Sequence, residues 1–392
     1  MLLIALTLAI GVIALCNAAA NVLSTVAPEI AVELAPHNGF ALAAAANAML
    51  AGAKPDSERA STLARKALER DPTNVPAIRT LAFALEMGGA RARAARLLGY
   101  GQSLSLRDIP TQLWYIEDAV TRGDVPAALH HYDIALRSDA AVQPSLFPIL
   151  VAATSDQAIV DGLVSVLARR PVWSEPFLIA LTRDAPDFGK VALLVDGMRR
   201  AGTPAPPSVT VAVINRLGSE RRFDAAWMLY AGLDRQAALA PLRNPDFSGP
   251  SHNSTIFDWN LASGSGLKSD PIVGGGGGLH FVAATNAAGP VAVQLLRIPI
   301  GRYMLQSATR SLSRGAGPSP SLRIRCADSD VVLATVALPD GAGAPVAFRQ
   351  GFVVPAACDT QRLEIEADGG DEINGVSGDI GPIIIRSMGA NP

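Results

Sequence analysis

Three residues recur together near the start of this chain. Glu33, Pro36 and Asn38 are followed 36 residues later by Glu69, Pro72 and Asn74. From Val75 two windows of 34 residues follow, 75–108 and 109–142, with turn glycines at Gly89 and Gly123 between stretches of helical spacing. A period near 34 that breaks once at a glycine is the mark of helical hairpins stacked in an array, each burying its apolar face on the next. Such an array is a scaffold. The sequence therefore points to an architecture and a class of partner, and names no reaction.

The third window shows how the hairpins pack. After Gly123-Asp124 come Ala128, Tyr132, Ala135 and Leu136 at helical spacing. Small residues let two helices approach, and the large one fills the groove between them. These positions resemble the second helix of a tetratricopeptide repeat. In the second window Gly89 and Ala94 fit that pattern, with Leu98 for the aromatic and Gly101 for the second alanine. In the first, Ala60, Ala67, Leu68 and Pro72 fit, with a turn two residues longer at Ala53–Asp56. The resemblance covers residues 33–142, fades over 143–218 and returns at Phe223–Tyr230. Pro171, Pro186, Pro204, Pro206 and Pro207 divide the fading part into expected helix pairs near 145–169, 174–201 and 208–233. The resemblance implies a concave surface holding a peptide or protein partner, with Gln112, Tyr115, His130 and His131 as candidate surface residues. Ordinary solvated helix faces are the alternative. His130 and His131 point about 100° apart on a helix, so they do not pair on one metal.

Ahead of the array, Leu2–Leu15 is apolar apart from Thr7, and Ala18-Ala19-Ala20 follows. That length suits a signal h-region with a small-residue cleavage site. Extended to Leu23 it also approaches the roughly 20 residues a spanning helix needs. The first Lys or Arg is Lys54, which favours export of the rest of the chain. A cleaved signal and an uncleaved anchor both stand. Val22, Val26 and Ile30 are expected to carry an apolar face into the first repeat. Lipidation at Cys16 is disfavoured by Leu15, where a small residue would be required.

The chain has 392 residues, enough for two domains, and a net charge of −2 with no block of like charges. A nucleic-acid footprint needs a basic stripe, and none is visible. Only four of the 33 basic residues are lysine, which fits a GC-rich bacterial genome. Near Pro241–Pro250 the alanine-rich helical periodicity stops. Short alternating segments follow: 278–282, 291–298, 303–306, 321–326, 331–336, 361–366 and 383–386. Turn residues between them predict a two-sheet antiparallel sandwich.

The order of residues in this half is similar to galactose-binding-like and carbohydrate-binding-module jelly rolls. The opening is Asn244-x-x-Phe247, with Trp259 nearby. Then come Gln294, a corner Pro299-x-Gly301-x-Tyr303, and a closing strand from Gly378 to Ile385. The chain departs from that pattern at Ile380-Gly381-Pro382, where relatives carry paired aspartates, so a calcium site of that type is not expected. The resemblance implies a glycan platform built from Trp259, Phe281, Tyr303 and Phe348. Trp and Tyr at strand corners also serve as core anchors, so both roles stay open.

Cys326 is in phase with inward Leu322 and Ile324, and Cys358 heads another strand. An even pair in an exported domain reads as a disulfide, with two buried thiols as the alternative. Glu364 and Glu366 alternate onto one face and are expected to be solvated. The glycine run at Gly274–Gly278 lacks the Lys-Ser/Thr of a phosphate loop. Asn253-Ser254-Thr255 is a formal glycosylation sequon. No nucleophile elbow, metal cluster or dinucleotide fingerprint is present, and no cofactor is expected.

The expected organisation is a signal or anchor at 1–20, a helical array at 21–240 and a jelly roll at 241–392. The function that fits is a non-catalytic scaffold, periplasmic and either anchored in the inner membrane or secreted. It would hold a protein partner and a polysaccharide in envelope or exopolysaccharide assembly. The alternatives are a purely structural assembly factor, or an enzyme acting on polysaccharide. The last would need two carboxylates about 5–10 Å apart in a cleft.

Overall fold

The computed structural model describes residues 2–234, 240–249, 255–274, 276–314, 317–340, 344–371 and 374–389. Asn253 and Ser254 of the sequon and Gly275 of the glycine run lie outside these. Among the described residues, fourteen α-helices precede eleven β-strands.

The helices begin with α1 (Leu2–Leu23) and the short α2 (Pro28–Leu34). Three hairpins follow: α3 (Gly39–Ala51) with α4 (Ser57–Arg70), α5 (Val75–Met87) with α6 (Arg91–Leu104), and α7 (Ile109–Thr121) with α8 (Val125–Ser138). Their first helices start 36 and 34 residues apart, as the repeat predicts. The recurring Asn is an N-cap. Asn38 Oδ1 accepts from the Phe40 and Ala41 N–H groups, Asn74 caps through Ala77 N, and Asp108 takes the same place through Thr111 N. Each such cap satisfies amides with no partner inside the helix and is worth about 1 kcal/mol. Gly89 and Gly123, at φ 79° and 69°, make the left-handed turns after α5 and α7. Ala60, Ala67, Ala94, Leu98, Ala128, Tyr132 and Ala135 are all buried. A Cβ on Gly101 would lie 3.3 Å from Ile78 Cγ2, so the smallest residue stands where α5 and α6 come closest.

The remaining pairs are α9 (Gln143–Ala153) with α10 (Gln157–Leu167), α11 (Ser174–Asp184) with α12 (Phe188–Arg200), and α13 (Pro207–Ser219) with α14 (Phe223–Leu233). They match the spans set by the prolines. The compact units do not part at the change of composition near 241. One unit takes in the chain to Ile149 with Pro171–Trp173, and the other takes in Leu150–Arg170 and everything from Ser174.

In the first unit α1 is joined to the hairpins. Asn38 Nδ2 donates to Asn17 Oδ1 at 3.1 Å and to Asn21 Oδ1 at 2.9 Å. Ala20, Ala31, Ala35 and Ala41 pack together with Leu23 and Val32. The residues expected to make this junction do not: Val22, Val26 and Ile30 are 73%, 84% and 51% exposed. Small alanines let α1 and α2 close tightly and leave the branched residues outside.

In the second unit one sheet runs β1 (Asn260–Leu261), β4 (Ala288–Leu296), β9 (Gln361–Asp368), β6 (Ser321–Cys326), β7 (Val332–Ala337). The other runs β11 (Ile384–Ser387), β5 (Gly301–Ser313), β10 (Val376–Ile380), β3 (Leu279–Ala283), β2 (Leu267–Pro271), with β8 (Val346–Val354) also paired to β5. Every pairing is antiparallel. The core between the sheets holds Phe281, Val291, Leu305, Ile324, Leu363 and Ile365.

The residues that carried the jelly-roll resemblance are the fasteners of this module. Trp259 Nε1 donates to Asn244 O at 3.1 Å, and its ring lies 4.7 Å from that of Phe247. Buried Gln294 accepts from Arg243 N and donates to Arg243 O, at 3.0 and 3.1 Å. The Tyr303 hydroxyl donates to Pro299 O at 2.9 Å across the corner. Cys326 and Cys358 form a disulfide, with Cα atoms 5.4 Å apart. The helix pair α13–α14 belongs to the same unit. Tyr230 donates to Asp258 Oδ1 at 2.9 Å, Trp227 meets Phe257 edge-on at 5.0 Å, and Arg221 Nη2 donates to the Ala327 and Asp328 carbonyls at 2.5 and 2.6 Å.

Candidate functional sites

The first candidate is a groove of about 470 Å³ in the first unit. The first helices of the three hairpins build it. Leu50 comes from α3; Phe83, Glu86 and Met87 from α5; Pro110, Leu113, Trp114 and Glu117 from α7. Met87 and Leu113 are exposed, so the groove presents apolar surface to solvent. Its wall is held by polar contacts. Trp114 Nε1 donates to Glu86, and the Arg91 guanidinium sits 5.2 Å above the Trp114 ring. Arg91 also pairs with Glu86 at 2.6 Å and with Asp118 at 2.7 Å. The hydrogen bond from Arg91 holds the Asp118 carboxyl below its ordinary range.

The surface residues proposed from the sequence are mostly not on the surface. Gln112 is fully buried, and His131 nearly so. Gln112 Nε2 donates to Leu106 O at 3.1 Å, which leaves its Oε1 to accept from His131 Nδ1 at 2.8 Å. Tyr115 is half-buried and stacks on His131 at 4.6 Å, and only His130 is exposed. Burial, with the neighbouring His130 adding to it, pushes the His131 imidazole down to about 4. These residues stitch α7 to α8. The positions that line the groove lie on α3, α5 and α7, and the period-34 pattern already marked those helices as equivalent.

In the sandwich, Trp259, Phe281 and Tyr303 are buried in the core, and half-buried Phe348 packs against it. They form no aromatic platform at the surface. Hydrophobic rings at strand corners are drawn inward because a small sandwich needs them to fill its core. The exposed face of the second sheet carries a polar row instead. Strand register sets Asp270, His280, Asp379 and Ser311 in a row across β2, β3, β10 and β5. Asp379 accepts from His280 Nδ1 at 2.6 Å and from the Ser311 hydroxyl at 2.7 Å. Burial opposes the charge on Asp379, but these hydrogen bonds outweigh it and keep its carboxyl below the usual range.

On the outer face of the first sheet the expectation for Glu364 fails. It is buried, with Arg325 at 2.5 Å and Arg362 at 2.6 Å, while Glu366 pairs with Arg323 at 2.8 Å and Arg325 at 3.2 Å. Register places Arg323 of β6 opposite Glu364 of β9 and Arg325 opposite Arg362, so Arg325 reaches Glu364 and Arg323 reaches Glu366 diagonally. Beside it a cleft of about 370 Å³ lies between α13–α14 and the sheet, lined by Asn215, Phe223, Ile256, Asn260, Leu295 and Arg362 among others. Among the described residues no group of three or more His, Cys, Asp or Glu could hold a metal ion.

No protein-family model and no curated protein matches this chain. Solved structures with a partial likeness include the enzymatically active domain of bacteriophage CBA120 tailspike protein 4. It is 14% identical, covering 38% of this chain and 21% of that one, with a TM-score of 0.28. They also include a carbohydrate-binding module of Cellvibrio mixtus lichenase 5A in complex with cellotriose, 15% identical, covering 34% and 100%, with a TM-score of 0.23. A β-1,3-glucan-binding module from Bacillus halodurans is 11% identical, covering 34% and 97%, with a TM-score of 0.22. At these scores the likeness carries no argument about a ligand.

Proposed function

We propose that this chain is a membrane-anchored, non-catalytic scaffold in envelope or exopolysaccharide assembly. Its hairpins act as a tetratricopeptide-like array that holds a protein partner in the α3–α5–α7 groove. The β module, on the periplasmic side of an inner membrane, meets glycan through the polar row on its open sheet. The observation that carries the reading is the groove, where exposed Met87 and Leu113 flank Trp114 on equivalent helices. Two further features support it. Leu6–Leu23 is long and apolar enough to cross a bilayer by length and composition, and the contacts that Ala20 and Asn17 make with the first hairpin support an anchor that is kept. The Cys326–Cys358 disulfide fits an oxidising compartment.

The test is crosslinking in native envelope from a photoreactive residue at position 113, followed by capture with Leu113→Glu. Capture of one stoichiometric protein that Leu113→Glu abolishes, with the melting temperature unchanged, is the expected result. Equal capture by both proteins removes the groove from the reading. A second reading, an assembly factor that binds no glycan, is favoured by the burial of Trp259, Phe281 and Tyr303. Affinity electrophoresis of the full chain in polysaccharide gels, with Asp379→Asn as comparison, separates the two.

A further inference from the structure

The hairpins of the first unit have two loop edges, and one of them is tied to α1. Asn38, just before α3, is hydrogen-bonded to Asn17 and Asn21, so the chain has turned back along α1 by the time it enters the first hairpin. The next loop lies beside this one, since Asn74 Nδ2 reaches Gly39 O at 3.4 Å and Arg70 Nη2 is 3.3 Å from His37 Nδ1. The Tyr100 hydroxyl, near the end of α6, reaches Pro72 O at 3.4 Å and extends the same edge to the α6–α7 loop. This edge carries apolar side chains that protein covers only in part: Leu34 is 40% exposed, Phe40 48%, Tyr100 45% and Leu106 50%. Exposed Arg70 and Arg107 stand among them.

About twenty helical residues fill a bilayer's hydrocarbon core, so Asn17 and Asn21, in the last two turns of α1, stand in the outer part of the span. Whatever is bonded to those two asparagines sits at that depth. An apolar row with a tyrosine and arginines is the composition found at a membrane–water interface, where rings rest among headgroups and long cationic chains reach phosphate. We propose that this edge of the array, marked by Leu34, Phe40, Arg70, Tyr100, Leu106 and Arg107, lies on the surface of the membrane that α1 spans, so that the hairpins stand on the bilayer at their α1 end. The proposal rests on the anchor reading and adds an orientation to it.

The full chain is reconstituted into phosphatidylcholine–phosphatidylglycerol vesicles as Cys16→Ser, with either Leu106→Cys or Met87→Cys carrying an environment-sensitive fluorophore. Met87 closes α5, at the opposite end of that helix from the proposed edge. A nitroxide carried near the lipid headgroup is expected to quench the label at position 106 several-fold more than the label at 87. A label at position 40 should behave like that at 106. Equal quenching at 106 and 87, in protein that floats with the vesicles, overturns the seated edge and leaves the anchor standing. Protein that does not float with the vesicles overturns both.

Discussion

Asn38 is both the N-cap of α3 and the residue that fastens α3 to α1: its Oδ1 accepts from the Phe40 and Ala41 amides while its Nδ2 donates to Asn17 and Asn21. One side chain thus completes a helix start and a helix–helix joint. Asn38→Ala should cost about 1–2 kcal/mol, read as a lower melting temperature of the full chain. The Asn17→Ala,Asn21→Ala double variant should lose less, because the cap survives. Equal losses in the two proteins would show that the cap contributes nothing of its own.

His131 makes stability depend on pH. Its imidazole is held down to about 4 in the folded chain, against about 6.5 when unfolded. Between those values the unfolded chain binds the extra proton, so stability rises with pH across this window and is lost as pH falls from 6.5 towards 4. The full difference is at most about 3 kcal/mol. Denaturant melts of His131→Asn should lose this slope whatever the variant's absolute stability. A slope unchanged by the substitution would assign it to other groups.

Glu364 balances Arg325 and Arg362 in a buried site. Glu364→Gln removes the charge and leaves the guanidinium of Arg325, only about a fifth exposed, short of its closest partner. The expected cost is about 1–3 kcal/mol, since Arg325 loses its nearer carboxylate and keeps only Glu366 at 3.2 Å. The Glu366→Gln change should cost less, because Glu366 is more exposed. The comparison is made by chemical denaturation of the two variants.

The Cys326–Cys358 bridge closes a stretch with a sequence separation of 32 and should contribute roughly 3–4 kcal/mol by restricting the unfolded chain. Thiol titration in denaturant should give one thiol, Cys16, without reductant and three with it. Two extra thiols without reductant would show that the bridge is not made.

Legibility in the sequence depended on how local each signal was. The hairpins could be read, because their caps and turns use residues whose reason for being there is local: Asn38, Asn74, Asp108, Gly89 and Gly123. The Cys326 side-chain direction was legible from alternation alone. Strand β8 was missed because Arg349, Gln350 and Gly351 interrupt its apolar run, although Phe348, Phe352 and Val354 keep a period of two. The closing segment reads as one strand in sequence, but the Gly381–Ile383 break makes it two, β10 and β11. The site residues fared worse. Whether Gln112 or Trp259 faces water depends on what packs over it from elsewhere in the chain, and no spacing rule carries that. Glu364 was hidden in the same way, by arginines on a neighbouring strand.

The attachment of α13–α14 to the sandwich bears on how the β module can be handled. Asp258, Phe257 and the Ala327 carbonyl all spend their contacts on Tyr230, Trp227 and Arg221. A fragment cut at the visible change in composition would bare an aromatic patch and take the Tyr230 hydroxyl from Asp258 Oδ1, leaving that carboxylate held by Thr255 alone. Such a piece would be prone to clump, and its silence in a sugar assay would speak for the cut rather than for the protein. A clone beginning before Pro207 keeps those partners together.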